Sequence, residues 1–88
     1  MPQLGPEHMR EAKKRAKRLG VDVEYSTRKY KKLDVFKKGE KIASIGDVRY
    51  SDYLQHKDKE RRQRYKNRHE NNRHVKGSPG YYADQILW

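Results

Sequence analysis

Large apolar side chains are scarce in this 88-residue chain, and that scarcity limits what it can fold into. Only 14 of the 88 residues are Leu, Ile, Val or Phe, about 16% of the chain, and Lys and Arg outnumber Asp and Glu by 23 to 12. A strongly charged chain with less than roughly 20% of these apolar residues is expected to be disordered. Cys, the residue that forms disulfides and thiolate zinc sites, is absent. The sequence therefore predicts one small domain with a limited core, ordered with help from a partner.

The net charge of +11 is the main indication of function. A field of this size attracts polyanions, so we expect nucleic acid or an acidic protein surface as the partner. No stretch approaches the roughly 20 apolar residues of a membrane span, and no apolar signal-peptide core follows the first residues. We therefore expect no membrane span and no small-molecule substrate.

Residues 1–29 are predicted to form a basic N-terminal helix and an extended arm. The helix begins at Pro6 and ends at Leu19, and Gly20 follows where a left-handed residue often ends a helix. Its apolar stripe recurs every three or four residues: Met9, Ala12, Ala16 and Leu19. Alternating residues over 21–25 predict a short edge strand. The helix cations are candidates for polyanion binding: Lys13, Lys14, Arg15, Lys17 and Arg18.

Residues 30–76 are predicted to form a hairpin followed by a basic helix. Two β-type runs, 33–36 and 41–46, flank a turn that contains Gly39. Asp58 is a suitable N-cap for a helix over 58–70, and Ser51 for a short turn before it. The candidates for binding a polyanion or a partner are Lys57, Arg61, Arg62, Arg64, Tyr65 and Arg68. Tyr65 can stack on a base or on an Arg plane, or these charges can pair along the helix and remain solvated.

Residues 77–88 are predicted to form an aromatic C-terminal anchor after the turn signal at 77–80. Its apolar residues are unusual in so polar a chain: Tyr81, Tyr82, Ile86, Leu87 and Trp88. The tail either closes over the hairpin as the missing core or docks in a pocket on another protein. We favour the first arrangement.

No catalytic motif is present, and we expect neither enzymatic activity nor a cofactor. The chain contains no Cys nucleophile, Gly-rich phosphate loop, G-x-S-x-G or H-E-x-x-H pattern. The histidines at 56, 69 and 74 match no zinc spacing, and the neighbouring Lys and Arg side chains repel a cation. A ββα nuclease is an alternative because these histidines follow the hairpin, but no acidic metal-binding cluster accompanies them.

One block of the sequence resembles a known family. It has the pattern G-x-x-x-Y-S-D-Y-x-x-H-K-D-x-x-R-x-x-x-Y-x-x-R-H over residues 46–69, followed by S-x-G-Y-Y at 78–82 and Leu87-Trp88. This arrangement resembles small basic proteins encoded by large double-stranded DNA viruses. The chain differs in having Arg49 where the family tends to have a second glycine and Tyr81-Tyr82 where Phe-Trp is common. The resemblance implies a protein made inside a host cell and associated with a virion, with no established activity.

The same block also predicts a polar network. Ser51, Asp52 and Asp58 lie near several cations in sequence and can order the tyrosines at 50, 53 and 65, while the two aspartates cap helices. The complete prediction is a small α+β fold with a basic N-terminal helix, a short β-hairpin or three-stranded sheet, a basic helix and an aromatic C-terminal tail. We expect a non-enzymatic virion structural protein, a minor capsid or capsid-lining component, that binds capsid or other virion proteins. The alternative is a sequence-nonspecific nucleic-acid-binding protein that neutralises or packages viral DNA.

Overall fold

The helices and strands were obtained from a computed structural model that describes residues 3–88. Met1 and Pro2, at the start of the predicted N-terminal segment, lie outside the described residues. In chain order the elements are α1 (Pro6–Arg18), β1 (Asp22–Tyr25), β2 (Leu33–Lys37), β3 (Glu40–Ile45), α2 (Tyr53–His56), α3 (Lys59–Arg68) and α4 (Pro79–Leu87). The predicted small α+β fold is confirmed. Within residues 3–88, no helix is long and apolar enough to cross a membrane.

The three strands form one antiparallel sheet in the order β1-β2-β3. Its register aligns Val23 with Val35 and Val35 with Ala43, so these apolar side chains share one face. The β2–β3 turn places Lys38 and Gly39 at φ of 52° and 80°. Positive φ at both central residues is typical of the type I′ turn, whose twist matches that of the strands it joins. The predicted edge strand and hairpin are both confirmed.

Helix α1 follows its predicted stripe closely. Met9, Ala12 and Ala16 are buried, and the two alanines are completely inaccessible. The helix ends at Arg18, one residue before the predicted end, and Gly20 takes a φ of 76° just beyond it. The small alanine side chains allow the helix to lie close to the structures it covers, which are β1, α2 and α4.

The aromatic tail closes over the hairpin, as favoured, but it does so as a helix that the sequence analysis did not predict. The Ser78 hydroxyl oxygen accepts a hydrogen bond from the Tyr81 N–H at 3.1 Å and caps α4. Tyr82, Ile86 and Leu87 are then buried against α1 and β3. One hydrophobic cluster draws residues from all three predicted segments, so residues 1–29, 30–76 and 77–88 share a single core.

Polar side chains buried beside this core tie the sheet to the helices. The Lys32 ammonium lies 2.7 Å from both an Asp52 carboxylate oxygen and the Gln55 side-chain oxygen. Asp34 accepts hydrogen bonds from the Ser26 and Ser44 hydroxyls at 2.6 and 2.7 Å. These bonds satisfy charged groups that would otherwise be costly to bury.

The predicted aspartate caps are confirmed, but the predicted Ser51 cap and the predicted ion-pair partners of Asp52 are wrong. Helix α2 begins at Tyr53, so its N-cap is Asp52, as the network predicted, and not Ser51. The Asp52 carboxylate pairs with buried Lys32, which comes 20 residues earlier in the chain, and not with the nearby cations of α3. Asp58 does cap α3, because its carboxylate accepts the N–H groups of Glu60 and Arg61.

Candidate polyanion-binding groove

A row of five rings joins α2, α3 and the end of α4. In order, the ring centroids are 6.2, 5.3, 4.2 and 4.3 Å apart along the series Tyr53, His56, Trp88, Tyr65 and His69. We call this series the aromatic row. Aromatic pairs at these separations stabilise a fold beyond the area they bury. The row therefore supports α3, a helix whose other residues are nearly all polar.

Tyr65 lies inside this row and not on the surface. Trp88 stacks on its ring at an interplanar angle of 4°, and His69 lies against it at 35°. Burial raises the pKa of the Tyr65 phenol to about 12. Tyr65 is buried, and Trp88 and His69 lie against its ring, so the ring has little surface left for the stacking on a base or on an Arg plane that the sequence suggested.

Three arginines project from one side of α3 into a shallow groove. Arg61, Arg64 and Arg68 are exposed, and their spacing of three and four residues places them on one helix face. Opposite them lie the loop residues Tyr50 and Ser51. The space has a volume of about 440 Å³ and is lined by the three arginines, the two loop residues and Trp88. We call it the arginine groove.

The three guanidinium groups of the groove are not neutralised by the protein. Among residues 3–88, Arg61, Arg64 and Arg68 form no ion pair with a carboxylate. Asp58, just before α3, is committed to the α3 cap, and hydrogen bonds from the N–H groups of Arg61 and Glu60 outweigh burial and lower the pKa of its carboxyl group. Glu70, just after α3, pairs with Arg73 and His74. The groove therefore offers three positively charged forks to an incoming acid.

The loop that forms the far wall of the groove is ordered by its own ion pair. Asp47 holds Arg49 through contacts of 2.8 to 3.3 Å, and hydrogen bonds from Arg49 lower the pKa of Asp47 to about 2. The Arg49 guanidinium also lies 4.7 Å from the centre of the Tyr30 ring. Arg49 is therefore occupied, whereas Tyr50 extends beside the groove with 66% of its surface exposed.

A second basic groove lies on the other side of α3, but its cations are used to hold α4. Arg62 donates to the Trp88 carbonyl oxygen at 2.8 Å, and the Lys66 ammonium lies 2.8 Å from Asp84. Arg15 donates to the Ile86 carbonyl oxygen and pairs with Glu11. The structure thus assigns Arg15 and Arg62, two of the predicted binding residues, to intramolecular contacts.

The other predicted cations lie outside the arginine groove. Lys14, Lys17 and Arg18 are exposed on α1, and Lys13 pairs with Glu24 of β1 at 3.5 Å. Lys57 adopts a φ of 56° at the end of α2, where its ammonium lies 5.5 Å from the centre of the Tyr53 ring. The sequence placed all these residues in one candidate set, but the α1 cations form no part of the groove wall.

The five predicted docking residues of the tail divide into two groups. Tyr82, Ile86 and Leu87 are buried in the core of this chain and have no surface left for a pocket on another protein. Tyr81 and Trp88 are partly exposed, and Trp88 lines the arginine groove. The partly exposed residues alone can contact a partner.

The histidines have separate local roles. The Nδ1 atom of His56 accepts the Asp58 N–H at 2.9 Å, and burial, followed by the charge of Arg61, lowers the pKa of His56. His74 lies 3.0 Å from Glu70, and His69 lies against Tyr65. In the part of the chain from residue 3 to 88, no group of three or more His, Asp and Glu side chains is arranged to hold a metal ion.

Tyr50 and Ser51 are the groove residues that the sequence analysis did not select as binding residues. The available signal for Tyr50 is a tyrosine directly after a basic residue, an arrangement that also occurs at Tyr30 and Tyr65. Its position opposite α3 depends on tertiary packing and has no local sequence signature.

Comparison with known proteins gives one match. The model of a family of unknown function (DUF5754) matches residues 21–69, more than half of the chain. The matched range includes the sheet, α2, α3 and five of the six residues that line the groove, namely Tyr50, Ser51, Arg61, Arg64 and Arg68. No curated protein and no solved structure matches the chain.

Proposed function

The chain belongs to the DUF5754 family, and we propose that it is a non-enzymatic structural protein of a virion that binds acid groups of its partner through the arginine groove. In this role it is a minor capsid or capsid-lining component. The virion setting rests on the resemblance of residues 46–69 to small basic proteins of large double-stranded DNA viruses. The family description assigns no activity, so the mechanism rests on the residues of the groove.

The observation that carries the proposal is the set of three unpaired guanidinium groups on α3. Arg presents a planar fork of N–H donors that fits a carboxylate or a phosphate through two parallel hydrogen bonds. Arg61, Arg64 and Arg68 need not break an internal ion pair before they bind. Lys66, by contrast, would have to leave Asp84.

A second candidate function is sequence-nonspecific binding of nucleic acid that neutralises or packages viral DNA. The observation that favours it is the exposed ring of Tyr50 beside the guanidinium groups. Carboxylates of a capsid protein bind the arginines alone. Nucleic acid can place its phosphates on the arginines and also stack a base on an aromatic ring.

The test compares two variants with equal loss of charge. The groove variant carries Arg61→Gln, Arg64→Gln and Arg68→Gln; the control variant carries Arg10→Gln, Lys37→Gln and Lys76→Gln, which are exposed and lie outside the groove. Purified virions are opened, the released DNA is separated from the shells, and the protein in each fraction is quantified by mass spectrometry. We expect the control variant to be incorporated as the wild type is and the groove variant to be depleted.

Two results would overturn the proposal. Equal incorporation of both variants would remove the groove from the mechanism and leave the exposed cations of α1 as the candidates. Absence of the wild-type protein from both the shells and the DNA would contradict the virion setting.

A further inference from the structure

Tyr50 differs from the tyrosines around it because its ring has no aromatic or cationic partner among the residues that the structure describes. Tyr65 stacks on Trp88, Tyr53 lies under Arg62, and Tyr30 lies under Arg49. Within residues 3–88, the Tyr50 ring makes no aromatic or cation–π contact, although it is 66% exposed. It is the most exposed of the large hydrophobic side chains that remain on this surface. An unpartnered ring at a basic groove is suited to stacking.

The arginines are spaced to follow a nucleic-acid strand. With a rise of about 1.5 Å per residue, Arg61 and Arg68 are roughly 10 Å apart along the α3 axis. A nucleic-acid strand carries one phosphate per about 3.4 Å of axis in a duplex, and an unstacked strand is more extended, so this length spans a few neighbouring phosphates. The three guanidinium groups can therefore contact neighbouring phosphates while a base turns toward Tyr50.

A strand with free bases fits this groove better than the other polyanions. An acidic peptide offers carboxylates to the arginines but no flat surface to Tyr50. In a duplex the faces of the bases are covered by their stacked neighbours, so the ring has no base face to meet. Single-stranded nucleic acid supplies both phosphates and open base faces, and both contribute to binding in proteins with no sequence preference.

We propose that the arginine groove binds single-stranded nucleic acid, with phosphates on Arg61, Arg64 and Arg68 and a base stacked on Tyr50. The inference rests on the proposed binding of acid groups by the groove and deepens the second candidate function, because it names single-stranded nucleic acid as the partner. It adds a role for Tyr50 that binding of simple acid groups does not require. Trp88, which also lines the groove, is the only tryptophan of the chain and reports on binding by its fluorescence.

The experiment measures binding of the full chain to three polyanionic probes, compared at equal concentration of anionic groups, by fluorescence anisotropy. The probes are a labelled 12-nucleotide thymidine strand, the duplex of that strand with its complement, and polyglutamate. Tyr50→Leu removes the ring, Tyr50→Phe keeps it, and Tyr25→Leu removes an exposed ring outside the groove. Base–aromatic stacking contributes enough that we expect Tyr50→Leu to weaken strand binding roughly 5-fold or more.

The three tyrosine variants and the groove variant together separate the possible failures. We expect Tyr50→Phe and Tyr25→Leu to bind the strand as the wild type does, and Tyr50→Leu to bind polyglutamate unchanged. Two results would overturn this inference: unchanged strand binding by Tyr50→Leu, or tighter binding of the duplex or of polyglutamate than of the strand. If the groove variant still lost affinity in either case, the proposed function would stand. If the groove variant bound all three probes as the wild type does, the proposed function itself would fail.

Discussion

Substitution of Gly46 tests the contact that joins the sheet, the buried ion pair and the C-terminal helix. Gly46 follows β3 with a φ of 79°. A methyl group at this position would lie 2.9 Å from Leu87 Cδ1 and 3.1 Å from two carbons of the Lys32 side chain. Neither neighbour moves freely, because Leu87 is fully buried and the Lys32 ammonium is held by Asp52.

The magnitude for Gly46→Ala has a backbone part and a packing part. A left-handed residue with a Cβ costs about 1–2 kcal/mol, and overpacking of a filled site costs about 1–3 kcal/mol. Loss of glycine freedom in the unfolded chain returns about 0.4–1 kcal/mol. We therefore expect the free energy of unfolding to fall by about 2–4 kcal/mol.

Gly39→Ala is the matched control for the backbone part. Gly39 has a φ of 80°, and a methyl group there would meet nothing within 4 Å. We expect it to cost only about 1 kcal/mol. Urea unfolding followed by Trp88 fluorescence measures the free energy of unfolding of both variants. In thermal unfolding, the melting temperature of Gly46→Ala should be lower than that of Gly39→Ala by at least about 4 °C. Equal losses in the two variants would refute the packing of α4 against the end of β3.

Two further predictions concern the buried charges. Lys32→Met leaves the Asp52 carboxylate buried without its cation, so the free energy of unfolding measured in urea should fall by about 3–5 kcal/mol. A loss below about 1 kcal/mol would contradict the buried ion pair between Asp52 and Lys32. For Asp34, burial raises the pKa, but hydrogen bonds from Ser26 and Ser44 outweigh burial and the pKa is lowered from 3.8. Folding thus favours the ionised form of Asp34. The stability that this carboxylate contributes is present above pH 3.8 and is lost as the pH falls through the lower pKa of the folded state. Urea midpoints measured from pH 5 to pH 2 should therefore fall less in Asp34→Asn than in the wild type, and parallel curves would contradict this.

The sequence predicted the elements whose signals are local. The stripe of α1, the alternation in β1, the turn at Gly39 and the cap at Asp58 each depend on residues within a few positions of one another. Helix α4 was missed because a nine-residue helix depends mainly on packing for its stability. Its Ser78–Pro79 start is a helix signal, but the aromatic residues after it favoured an anchor of unspecified structure.

The sequence predicted the arginines of the groove but not the geometry that selects them. No feature of the sequence favoured Arg61, Arg64 and Arg68 over Arg15 and Arg62 as binding residues. In the structure, hydrogen bonds to the end of α4 occupy Arg15 and Arg62. Those bonds join residues 26 and 71 positions apart, so no local pattern indicates them.

The burial of Tyr65 and of Lys32 was not predicted, for the same reason in both cases. Tyr65 is buried by Trp88 from the far end of the chain, and Lys32 lies in a basic stretch where solvent exposure is the usual expectation. The long-range partners of both side chains, Trp88 and Asp52, decide their burial.

The salt dependence of strand binding tests most directly whether the three guanidinium groups of the groove contact phosphates. The dissociation constant for the 12-nucleotide strand is measured across a salt series for the wild type and for the groove variant. Each phosphate contact on a single strand contributes about 0.7 to the slope of log affinity against log salt concentration. The account predicts that the slope of the groove variant is shallower by about 2. A variant slope equal to that of the wild type would contradict the claim that Arg61, Arg64 and Arg68 bind the polyanion.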